Sequence, residues 1–132
     1  MQLRFKTLAL LTAWLCFALA LTWGVRPEWM LWLWSVEYSS ATGLVARRNA
    51  ALLLAIGVMF YRARHAPPSA TRRAMTGGFI VGCLILAVLG FGEWINGNAG
   101  PGILLAMATE TVLGLAFIQA HRSSVTQTQA ST

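Results

Sequence analysis

The sequence predicts an all-α integral membrane protein, a four-helix bundle with a short interfacial helix after the first span. Three observations predict it. Of the 132 residues, 57% are hydrophobic and 11% charged, against roughly 45–50% and about 25% in soluble domains. Four apolar stretches alternate with short polar segments, and the chain length is what four bilayer crossings of roughly 20 residues each plus connections need. Most of the basic residues stand immediately beside those stretches, where they orient a chain and meet anionic headgroups. Residues 1–122 are read as one membrane domain with spans near 7–25, 43–62, 74–94 and 102–120. Residues 123–132, rich in Ser, Thr and Gln, are expected to be a disordered polar tail.

The first run, residues 8–25, carries no charge and follows Arg4 and Lys6. Ala18-Leu19-Ala20 offers a small-x-small pattern of the kind signal peptidase reads, yet Trp23, Gly24 and Val25 continue the run beyond it, so an uncleaved first helix is expected. Residues 49–61 lie between Arg48 and Arg62 and are too short to cross alone. A full second span must start near Gly43 and carry Arg47 and Arg48 inside. The third run ends at Glu93-Trp94, and the fourth, broken only by Glu110, ends at His121-Arg122. Asn, Gly and Pro fill residues 96–102 between them apart from Ala99, a turn composition that makes these two helices an antiparallel hairpin.

Residues 27–38 connect the first two spans. Pro27 suits a first helical position, and Trp29, Trp32, Leu33 and Val36 recur at i, i+3, i+4 and i+7. A helix lying at the headgroup level follows, with Trp23, Trp29, Trp32, Trp34 and Trp94 as interfacial anchors. The alternative use of these rings is a wall for an apolar ligand. With both termini cytoplasmic, the inner side receives Arg4, Lys6, Arg62, Arg64, Arg72, Arg73 and Arg122, and the outer side Arg26, Arg47 and Arg48. The positive-inside rule selects that orientation, in a membrane of the bacterial inner (plasma) type.

Small residues four apart mark faces where helices approach closely in lipid. Thr12, Cys16, Ala20 and Gly24 form such a row, as do Ala74, Gly78 and Gly82, and Gly102, Ala106 and Gly114 with Glu110 in line. Gly78, Gly82, Ala106 and Gly114 are therefore expected to pack helices within the chain, ahead of any homodimer.

Glu110 and Arg48 both fall about 10 Å below the outer boundary by helical rise. An ionisable group at mid-span costs about 2.5–3.5 kcal/mol even on lenient scales. Arg47, Arg48, Asn49, Glu93 and Glu110 are therefore expected to cluster inside the bundle. Fully paired, the cluster fixes helix rotation; with Glu110 partly paired, the carboxyl can exchange a proton or hold a cationic ligand.

Other chemistry is scarce. No basic run interleaved with aromatics makes a nucleic-acid face. Cys16 and Cys83 lack a CxxC neighbour, His65 and His121 sit at helix ends where a haem would not bridge them, and no Ser-His-Asp set or paired acidic metal ligands occur. No enzyme, cofactor or metal is expected. Size and layout resemble those of the small multidrug-resistance transporters and the DoxX-like membrane proteins, but the former carry their essential glutamate in the first span, and residues 7–25 contain no acid. The expected role is a non-enzymatic accessory or structural membrane component whose partners are the lipid bilayer, itself or a larger membrane protein. The alternative is a homo-oligomeric transporter or channel using Glu110.

Overall fold

A computed structural model gives an all-α four-helix bundle; it describes the backbone of residues 2–130 and the side chains of residues 5–122. The helices are α1 (Gln2–Val25), α2 (Pro27–Leu33), α3 (Ser40–Ala63), α4 (Ala70–Ile95) and α5 (Ile103–Ala130). Four of them, over Phe5–Val25, Ser40–Ala63, Ala70–Ile95 and Ile103–Arg122, are long and apolar enough to cross a membrane. Their outer surfaces are apolar too: Leu11, Leu52, Val88 and Val112 are all exposed. Hydrocarbon solvates such surfaces, and water does not.

Helix boundaries follow from local hydrogen bonding. Helix α2 stops at Leu33, short of the expected residue 38, because Ser35 turns left-handed at φ 56°. The Val36 N–H donates to the Leu31 carbonyl at 2.8 Å and the Ser35 N–H to that of Trp32 at 3.0 Å. This is a Schellman closure, and its usual apolar contact is present, with Val36 packed in the cluster around Leu31. The same closure ends α4, where Gly97 takes φ 74° and the Asn98 N–H reaches the Glu93 carbonyl at 2.9 Å. Helix α3 starts at Ser40, earlier than Gly43, because Ser39 caps it. The Ser39 hydroxyl accepts from the Thr42 N–H at 3.1 Å, while Thr42 Oγ1 accepts from the Ser39 N–H at 2.7 Å. The backbone of α5 continues helically to Ala130, through most of the expected tail; the side chains from 123 onward and residues 131 and 132 lie outside the described residues.

The helices assemble as two antiparallel pairs, α1 along α3 and α4 along α5. Small residues set the first pair: a Cβ on Gly24 would stand 3.6 Å from that of Ala50, and one on Gly57 would run into Phe17 and the Ala13 carbonyl. In the second pair Gly90 leaves room for Met107, and Gly114 lies over Cys83. The pairs meet along a seam where α1 also touches α5, and a contact closes it at each end. At the end where α3 finishes, Phe60 sits 4.8 Å from Phe79 and 5.1 Å from Phe117, ring centre to ring centre. At the other end the Gly100 N–H donates to the Trp34 carbonyl at 2.6 Å. Side chains there would collide with Ser35 at Gly100 and with the Leu33 carbonyl at Gly102.

Candidate functional site: the seam between the two helix pairs

Glu110 occupies the stretch of α5 between those two contacts. It is seven residues from Ile103 and seven from Phe117, both buried. Seven residues are nearly two full turns, so the three share one face, and Glu110 lies about 10 Å from either end of the seam. It is half-buried, four residues before Gly114, which lies over Cys83 of α4. Cys16 is on the buried face of α1. Both thiols are buried and free. Thr12, one turn before Cys16, is fully buried, and its hydroxyl has no hydrogen-bond partner. It shares a face with Phe5, seven residues earlier, which packs in one cluster with Phe60 and Phe117. A carboxyl, two thiols and a hydroxyl thus gather along the seam. No group of three His, Cys, Asp or Glu able to hold a metal ion occurs among the described residues.

The expected charge cluster is not assembled within one chain. Arg47, Arg48 and Asn49 are exposed, and no arginine pairs with Glu93 or Glu110 among the described residues. The reason is the packing of α3 on α1. Gly43, Ala46, Ala50 and Gly57 form the buried face of α3, and Arg48, two residues from both Ala46 and Ala50, points about 160° away from it. Arg47 lies to the side. Asn49, eleven residues before Phe60, falls on the seam side instead, because eleven residues make close to three turns. Glu93 is exposed, and its Oε2 accepts from Asn98 Nδ2 at 2.7 Å within its own turn.

Trp23 also departs from expectation. It is buried, edge-on to Trp34 at 5.1 Å, against Leu31, Ala46 and Ala50. Its ring fills the space above the small residues of α3 instead of anchoring at the interface. Trp29 and Trp32 are exposed at 64% and 80%, on a helix at the same end as exposed Trp94, while Trp34 is half-buried. Gly114 is buried and Ala106 half-buried on the covered side of α5. A Cβ on Gly78 or Gly82 would meet nothing within 4 Å, so the contact face expected there does not form in the single chain. The close approaches that sequence reasoning missed are Gly43, Gly57, Gly90 and Gly100, while Gly102, in the small-residue row of the fourth span, does approach a neighbour closely, the Leu33 carbonyl. Gly43, Ala50 and Gly57, spaced seven apart, carried a signal for the α3 face.

Neither protein-family models, curated proteins nor solved structures match the chain.

Proposed function

We propose that this protein is a non-enzymatic accessory component of a membrane, working by lateral packing against another membrane-embedded chain, its own copy or a larger protein. Arg47 and Arg48 carry this reading. They stand exposed about 10–12 Å along α3 from Ser40, with no acid paired to them among the described residues. A charge left at such depth is costly, and an acid or backbone carbonyl from a neighbouring chain relieves the cost. The uncovered Gly78 and Gly82 supply a second close-approach surface. Gentle extraction followed by cross-linking tests the idea: a larger assembly that Arg48→Leu weakens is expected. A clean monomer would defeat it.

A second reading rests on Glu110, which faces the seam without a basic partner. In a homo-oligomeric transporter this carboxyl carries the coupling proton or a cationic substrate. Glu110→Gln that accumulates normally but loses proton-coupled uptake in vesicles favours this reading; Glu110→Gln that fails to accumulate favours a structural carboxyl.

A further inference from the structure

The end of the bundle opposite the tryptophans holds a cleft that neither reading uses. It opens where α4 begins beside α1 and α5, and its walls include Phe5, Arg72, Arg73, Thr76, Phe117 and His121. The Arg72 guanidinium lies 4.2 Å over the Phe5 ring, and its Nη1 donates to the Ala66 carbonyl at 2.9 Å. Below it, the buried Thr76 hydroxyl sits 2.9 Å from the Arg72 carbonyl and 3.1 Å from that of Arg73, fixing the first turns of α4. Stacking and one hydrogen bond thus orient a planar fork that has five N–H donors in all.

Among the described residues no carboxylate lines this cleft. The four acids of the chain are Glu28, Glu37, Glu93 and Glu110. The first three sit at the tryptophan end, and Glu110 is about 10 Å above the Phe117 ring. Lys6, Arg62, Arg64, Arg72, Arg73 and Arg122 all fall at the cleft's end. A half-buried guanidinium with a second arginine beside it and no counter-acid is matched by a multidentate anion, and arginine forks suit phosphate oxygens. Phe5 and Phe117 are buried beneath the cleft, which opens at the end of the membrane-crossing helices, the level at which anionic lipid headgroups lie. Basic pockets between membrane helices are where such headgroups bind.

We propose that this cleft binds the phosphate of an anionic lipid headgroup, with Arg72 as the oriented donor and Arg73 as the second charge. The test uses the full chain in neutral detergent, titrated with phosphatidylglycerol or phosphatidylcholine, with bound lipid counted by native mass spectrometry. Preferential retention of phosphatidylglycerol is expected. At about fivefold per arginine, Arg72→Gln with Arg73→Gln lowers that binding about 25-fold, whereas Arg62→Gln with Arg64→Gln, the same charge removed nearby, lowers it far less. Where the double variant does not fold, the exposed Arg73→Gln alone is measured, and about a fivefold loss is expected. Equal retention of the two lipids, or equal loss in the two double variants, overturns the site. Saturable binding of inorganic phosphate with no lipid preference overturns the lipid assignment and leaves a free-anion site.

Discussion

Replacing Phe60 by alanine should loosen one helix pair from the other without unfolding either. Phe60 is fully buried, and its ring is the described side chain of α3 that meets both Phe79 and Phe117. In a soluble core, Phe→Ala costs about 3–5 kcal/mol, of which transfer from water is a large part. That part shrinks in a membrane, because a separated helix rests in hydrocarbon as apolar as its packed site. What remains is two ring contacts at about 0.5–1.5 kcal/mol each, so about 1–3 kcal/mol in total is expected. Reversible unfolding in mixed micelles, driven by an ionic detergent, measures it, and a Phe60/Phe117 double-mutant cycle isolates one contact. Leu52→Ala, on the exposed side of the same helix, is the comparison and should change little. If Phe60→Ala costs no more than Leu52→Ala, or if Phe60 and Phe117 behave additively, the aromatic contact is not what joins the pairs.

Gly102→Ala should destabilise by about 1–3 kcal/mol, because the new methyl meets the Leu33 carbonyl and the turn must withdraw from α2; Gly78→Ala, facing open space, should leave the unfolding midpoint of the single chain within about 0.5 kcal/mol. Ser39→Ala should cost about 1 kcal/mol and raise amide exchange at residues 40–43, since it removes the oxygen that accepts from Thr42; unchanged exchange there would deny the cap a role. Cys16 and Cys83, both buried, should resist a water-soluble maleimide until the protein is unfolded, and rapid labelling of folded protein would place them on a wet surface instead.

The four crossings are readable from the chain because a long apolar stretch in hydrocarbon must satisfy its backbone internally, which leaves helix as the one open choice. Helix rotation is harder. Depth follows from counting, so Arg48 and Glu110 are read at one level, but the direction of Arg48 depends on which neighbour α3 packs against. The seven-residue spacing of Gly43, Ala50 and Gly57 held that information. At the end of α2, Val36 continues the apolar rhythm of Trp29 and Trp32 while lying beyond the helix. The Schellman closure brings it back onto Leu31, so contact mimics periodicity, and Ser35 in place of glycine hides the stop. Trp23 is misplaced for a related reason. An indole is at home at the interface or over small residues, and Ala46 and Ala50 decide between them only once α1 and α3 are side by side.

The pairing of α1 with α3 bears on how the chain enters the bilayer during synthesis. Helix α3 is the least apolar of the four crossings and carries two internal arginines, which makes it the poorest substrate for the translocon by itself. Its chief neighbour is already in place when it emerges, since α1 is made first and nothing of α4 or α5 is needed to complete their contact. The early half of the polypeptide can therefore commit to the lipid phase while the later half is still inside the ribosome.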